Sequence, residues 1–246
     1  VKGVEEQTRN LMKVCAMRKT PVIVFVNKLD REGRDPFDLL DEIEKELGIR
    51  TRPFTWPINR GSLFKGVYNL HEKSLNLFKA STTKVVDEII SINDLNDPKL
   101  DEICGKADAD KLREDAEMLH AVYDSFDLNE YLKGNLAPVF FGSAVNTFGI
   151  KEMLDTFVEI APTPRGRETD KRFIEPVEPK MVGFIFKIHA NLDPKHRDRI
   201  AFMRIVSGKF ESVEYYHHCR LEKDFSFSTP VTFIAQYKQI VDTAYT

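Results

Sequence analysis

Apolar positions near the start of the chain switch between two periods, and the switches mark its elements. Over residues 5–18, Leu11, Met12, Cys15 and Ala16 recur at helical spacing, which predicts an amphipathic helix. Thr20-Pro21 ends it, because a residue before proline is pushed out of the helical region. Val22, Ile23, Val24, Phe25 and Val26 follow without interruption, which predicts a strand buried on both faces of a helix-covered parallel sheet. Asp35 as N-cap and Pro36 at the first helical position open a second helix. Its apolar face is Phe37, Leu40, Ile43 and Leu47, and Gly48 lies just past its end. This helix–strand–helix alternation predicts a doubly wound α/β domain.

Residues 49–136 break that rhythm and read as an inserted α+β region. Residues 50–58 are extended, and residues 64–68 with 75–78 predict a hairpin. Helical patterns follow over residues 100–105 and 109–123. Pro138-Val139-Phe140-Phe141-Gly142-Ser143 returns to the buried-strand pattern. Residues 149–160 form an amphipathic helix with Met153, Leu154, Phe157 and Ile160 on its apolar face. A polar linker over residues 161–179 precedes residues 180–246, where short strands around 182–188, 200–206, 215–221 and 231–235 predict a small antiparallel β-barrel.

With 246 residues, 42% apolar and 30% charged, the chain has the composition of an ordinary soluble protein of one or two domains. No apolar run approaches the roughly 20 residues of a membrane-spanning helix. Nor does residue 1 open a secretory h-region. Cys15, Cys104 and Cys219 are far apart and lack metal-ligand spacing, so a reducing, cytoplasmic setting is expected. Charge is uneven: residues 1–160 carry 22 basic and 28 acidic side chains, and residues 161–246 carry 14 and 11. The resulting −6 and +3 point to two modules with different partners.

The chemistry concentrates at Asn27-Lys28-Leu29-Asp30, directly after the first buried strand. Open α/β sheets bind ligands beyond the carboxyl ends of their strands. Guanine offers two adjacent donors, N1–H and the 2-amino group, and an ionised Asp30 can accept both. Adenine lacks that pair and would leave Asp30 unpaired. Asn27 can reach the other edge of the base, and the Lys28 stem can cover its face. A strand followed by a polar turn is the plain alternative. A second strand ending in Gly142-Ser143-Ala144 favours the nucleotide reading, with a backbone N–H there able to meet guanine O6.

On these residues the chain resembles the bacterial translational GTPases, and within them most closely the peptide chain release factor three branch, related to elongation factor G. The matching runs are residues 3–9, 27–31 and 35–48, Thr55-Trp56-Pro57-Ile58, residues 64–68, residues 138–149, and in the second module residues 193–204 and 207–210. The resemblance implies a partial P-loop GTPase-type sheet with an insert, then a β-barrel facing the small ribosomal subunit. It implies binding of GTP and GDP, with Asn27, Lys28 and Asp30 on guanine and Ser143 and Ala144 in the supporting turn. It also implies action on the ribosome, where such factors promote departure of the decoding release factors and GTP hydrolysis then frees the factor. No membrane or DNA partner is expected.

Hydrolysis needs a phosphate cradle, a Mg²⁺ ligand and a water-orienting residue. No G-x-x-x-x-G-K-[ST] occurs here, nor the family's D-x-P-G-H segment. The chain is therefore expected to be a fragment with no catalytic residue of its own, its Mg²⁺ ligands lying in the parent protein and its barrel cut before the last strands. Alone it is expected to bind guanine nucleotide weakly without hydrolysing GTP. An open sheet edge at such a cut would invite pairing with another chain. A GTP-independent ribosome-interaction module, with a vestigial base site, is the second function class.

Other features read two ways. Lys195, His196, Arg197 and Arg199 contact ribosomal RNA phosphates or sit in a solvated hairpin loop. His217 and Cys219 can share one strand face, but with the adjacent His218 opposite them no metal site is expected. Asp41, Glu42, Glu44 and Glu46 are assigned to the solvated side of their helix, and Trp56, Phe64 and Tyr68 to packing within the insert.

Overall fold

Leu136 to Phe141 is apolar throughout, and all six of its residues are buried at the centre of a parallel sheet. The structure, a computed structural model, describes residues 3–78, 89–92, 94–190, 199–227, 230–234 and 237–246. The chain divides into two units, Val1–Ala161 and Pro162–Thr246.

In the first unit the elements run α1 (Glu6–Met17), β1 (Val24–Val26), α2 (Pro36–Leu47), β2 (Arg50–Pro53), β3 (Thr55–Ile58), β4 (Gly66–Asn69), β5 (Ser74–Leu77) and β6 (Ile89–Ser91). They continue through α3 (Pro98–Cys104), α4 (Lys106–Val122), α5 (Leu128–Leu132), β7 (Leu136–Phe141) and α6 (Ile150–Ile160). The order β1-β7-β2 makes a three-stranded parallel sheet, with Val26 opposite Phe141 and Thr51 opposite Ala137. The insert folds its own antiparallel sheet, β3-β4-β5-β6, joined to the parallel sheet where β2 runs on into β3.

Local chemistry accounts for the helix ends. Asp35 Oδ1 accepts the Phe37 N–H at 2.9 Å, and Pro36 occupies the first turn of α2. Gly48 closes it at φ 64°, a left-handed conformation that glycine adopts without a Cβ penalty. Trp56 joins the layers, its ring 4.6 Å from Phe37 and 5.4 Å from Phe141, with its indole N–H donated to the buried Asp115 at 3.0 Å. Packing is thus the role of Trp56, and Phe64 and Tyr68 are likewise buried.

Four expectations need correcting. The strand expected over residues 22–26 spans only Val24–Val26 and buries only Val26, because β1 has β7 as its single sheet neighbour among the described residues. In α1 only Met12 is buried, and in α6 only Ile160, so Leu11, Leu154 and Phe157 lie about half exposed. Glu42 and Glu44 are not simply solvated. Glu42 receives the Val4 N–H at 3.0 Å and an Arg34 guanidinium, and Glu44 Oε1 receives the Thr51 N–H at 2.7 Å and its hydroxyl at 2.8 Å. The linker is also structured.

In the second unit that linker holds a hairpin of β8 (Arg167–Glu168) and β9 (Phe173–Ile174). Arg172 forks onto Glu178 with two 2.7 Å bonds, and with the Glu175 N–H it holds the Glu178 carboxyl down to about 2. Beyond lie β10 (Val182–Ala190), β11 (Arg199–Ser207), β12 (Lys209–Glu211), β13 (Tyr216–His218), β14 (Lys223–Phe225), β15 (Val231–Ile234), β16 (Tyr237–Ile240) and β17 (Thr243–Tyr245). They pair antiparallel as β10-β11, β12-β17, β13-β14 and β15-β16. Gly208 turns β11 into β12 at φ 67°, where a Cβ would lie 2.7 Å from the Lys180 and Met181 backbone. Phe210 stacks on Tyr216, whose hydroxyl accepts the Glu211 N–H at 2.6 Å and donates to the Glu211 carbonyl at 3.0 Å.

Candidate functional site

Two loops leave the carboxyl ends of adjacent parallel strands, one after β1 and one after β7. Backbone bonds hold them together: the Gly142 N–H donates to the Val26 carbonyl at 3.0 Å, and the Leu29 N–H donates to the Gly142 carbonyl at 3.1 Å. Asn27 Oδ1 accepts both the Lys28 N–H at 2.7 Å and the Ala144 N–H at 2.9 Å. That last bond spends the Ala144 amide on tying the loops. The Asn27 amide NH₂ has no acceptor among the described residues and stays available as a donor.

Lys28 turns the first loop at φ 68°, in the left-handed region where a side chain is uncommon, and the Arg31 N–H closes the turn on the Lys28 carbonyl at 3.1 Å. Leu29 is buried as the loop's anchor. Asp30, next to it, is half-buried, and among the described residues its carboxylate has no hydrogen-bond or ion-pair partner. Water solvates such a carboxylate in the free chain, and a ligand with two donors can replace that water.

The second loop is a tight knot. Ser143 and Phe148 exchange backbone bonds at 3.0 Å in each direction, and the Asn146 amide donates to the buried Ser143 hydroxyl at 2.9 Å. Gly142 has no room for a side chain, since a Cβ would lie 2.8 Å from the Phe25 ring and still closer to the Phe148 carbonyl. Ser143 therefore braces the turn from within, while Ala144 is exposed at its tip.

A cleft of about 610 Å³ opens beside the first loop, lined by Val4, Thr8, Val26, Asn27, Lys28 and Arg31 among others. Of the five predicted residues only Asn27 and Lys28 line it; Asp30 lies in the same loop, and Ser143 and Ala144 lie in the loop beside it. Arg199 is exposed at the start of β11 in the other unit, and Lys195, His196 and Arg197 lie outside the described residues. His217 Nδ1 is 2.8 Å from Asp224 Oδ1, and Cys219 is a free, exposed thiol. Among the described residues no group of three His, Cys, Asp or Glu side chains is placed to hold a metal ion. No described helix is long and apolar enough to cross a membrane.

Sequence reasoning missed the left-handed Lys28 and the residues behind the loops. Glu32 and Gly61 meet closely enough that Gly61 could carry no Cβ without displacing the Glu32 carboxylate. The Asn59-Arg60-Gly61-Ser62 run was a legible turn signal, although its target was not.

Comparison with known proteins matches residues 1–163 to the elongation factor Tu GTP binding domain and residues 180–246 to elongation factor G domain 2. A crystal structure of a Thermus thermophilus protein superposes with a TM-score of 0.67 at 18% identity. The match covers 99% of this chain and 36% of that one, so this chain spans about a third of that protein's length.

Proposed function

The chain belongs to the elongation factor Tu GTP-binding domain family, a family of translational GTPases, and from that premise we propose that it is the guanine-recognition part of a translation termination factor. The observation that carries the nucleotide reading is the Asp30 carboxylate, half-buried and without a partner among the described residues, beside the Asn27–Ala144 tie. Asp30 accepts guanine N1–H and the 2-amino group, and the free Asn27 NH₂ donates to N7, a purine acceptor. Lys28 covers the base face. Ser143 and Ala144 fix the loop that holds Asn27 in place.

The parent protein hydrolyses GTP in the cytoplasm and acts on the ribosome to promote departure of the decoding release factors. Phosphate and Mg²⁺ binding would come from outside these 246 residues, since no phosphate-loop motif occurs in them. Alone, this chain binds GTP or GDP weakly and does not turn GTP over. The runs over residues 193–204 and 207–210 support the termination reading. The match of residues 180–246 to elongation factor G domain 2 favours a second reading, a factor of the elongation factor G type.

The test uses the parent protein and a fluorescent decoding release factor on ribosomes after peptide release. Termination activity predicts GTP-dependent acceleration of release-factor departure. Acceleration of messenger translocation instead would support the second reading and contradict the first.

A further inference from the structure

One turn of the insert touches both base-recognition loops. Gly61 opens the 3₁₀ turn Gly61–Leu63 at φ 61°, and its N–H donates to the Leu29 carbonyl at 2.9 Å. Leu29 is the residue between Lys28 and Asp30, and its own N–H is already held by Gly142. Both backbone groups of this residue are therefore fixed, one by the neighbouring loop and one by the insert. Three positions on, the Phe64 N–H closes the turn on the Gly61 carbonyl at 3.2 Å. The Phe64 ring meets Phe148 edge-on at 5.6 Å, and Phe78 meets the same ring at 5.3 Å. Phe148 is the residue whose backbone clasps Ser143.

From these contacts we infer that Gly61 and Phe64 are positioning residues for guanine recognition, setting from the insert where Asp30 and the Ser143–Ala144 turn stand relative to each other. The two contacts act on different loops through one short turn. A rotation of that turn displaces the Leu29 carbonyl and the Phe148 ring together, and the two loops share the Asn27–Ala144 bond. Guanine needs both donors to reach Asp30 while N7 reaches Asn27, so a small relative shift of the loops costs affinity for guanine in particular. By linkage, anything that binds the insert and moves this turn changes nucleotide affinity, and nucleotide changes the affinity of that partner by the same factor. The inference rests on the guanine-site reading proposed above.

The test uses the parent protein with guanosine and xanthosine diphosphates as probes, and Gly61→Ala, Phe64→Leu and Val122→Ala as variants. Val122 is exposed on α4 and belongs to neither loop. Gly61→Ala strains the left-handed turn, and Phe64→Leu removes the edge-on ring contact. Each should weaken GDP binding roughly three- to tenfold and shrink the GDP-over-XDP ratio, the loss expected for one misplaced hydrogen bond. Amide exchange without nucleotide should quicken at Leu29 in the first variant and at Ser143 in the second. Val122→Ala should change none of these. If Gly61→Ala does not fold, Phe64→Leu carries the test, with its fold checked by circular dichroism. Folded variants with wild-type GDP affinity, or with GDP and XDP weakened equally, would overturn the inference alone. A wild-type chain with no preference for GDP over XDP would overturn the guanine-site reading and this inference with it.

Discussion

Asn27 Oδ1 accepts the main-chain N–H of Ala144 at 2.9 Å, joining residues 117 apart in sequence at the mouths of two adjacent strands. The bond divides the Asn27 side chain, with its oxygen committed to the protein and its NH₂ without an acceptor among the described residues. Asn27→Asp keeps the oxygen acceptor and replaces the donor with a second oxygen. The variant should fold with stability within about 1 kcal/mol of wild type while GDP binding falls at least about tenfold. Urea denaturation and a GDP titration on the same preparation check both halves. A parallel loss of stability and binding would contradict this division.

Gly142 stands where no side chain fits, against the Phe148 carbonyl, the Phe25 ring and, at 3.2 Å, Gly149 Cα. Two of those neighbours are backbone and cannot move without opening the turn. Gly142→Ala should destabilise the first unit by about 1–3 kcal/mol, the usual cost of overpacking. Because the sole tryptophan, Trp56, is buried there, its fluorescence in a denaturant titration reads that unit directly.

Glu152, in the first turn of α6, is a carboxylate that burial pushes above the ordinary glutamate range, with Glu72 and Asp155 adding to the rise and a backbone hydrogen bond and Lys151 opposing it. Its Oε1 receives the Asn76 amide, while Glu152 Oε2 and Asn76 Oδ1 are both buried without partners among the described residues. A proton on Oε2 would remove the charge that burial disfavours and give that oxygen a donor. The folded state thus holds that proton more tightly than the unfolded chain does. The group's stabilisation is full below the ordinary glutamate range and is lost as pH rises through the raised value. Glu152→Gln stays neutral, so its thermal midpoint should gain on wild type as pH rises above the ordinary glutamate range. A pH-independent difference would show that Glu152 is ionised in the fold.

Much of this architecture was legible in the sequence where the signal is local. Asp35-Pro36 and Gly48 mark both ends of α2, and uninterrupted apolarity marks β7, the strand with neighbours on both sides. The same pattern at β1 overstated burial, because apolarity does not tell a central strand from an edge. For α1 and α6, periodicity found the helices but did not say how much of each face is covered. The candidate site was legible as residue types, since donor and acceptor chemistry belongs to Asn27 and Asp30 themselves. Its construction was not: the Ala144 bond, the Gly61 brace and the Glu44–Thr51 clasp depend on which segments meet in space.

The central claim is that Asp30 selects guanine by accepting two donors from one edge of the base, and Asp30→Asn tests it most directly. The variant exchanges one acceptor for a donor, which matches the 2-carbonyl of xanthine instead of the 2-amino group of guanine. Calorimetric titration of the parent protein should show GDP preferred by the wild type and XDP preferred by the variant, each by about tenfold or more. Unchanged preference for GDP in a folded Asp30→Asn chain would contradict the account.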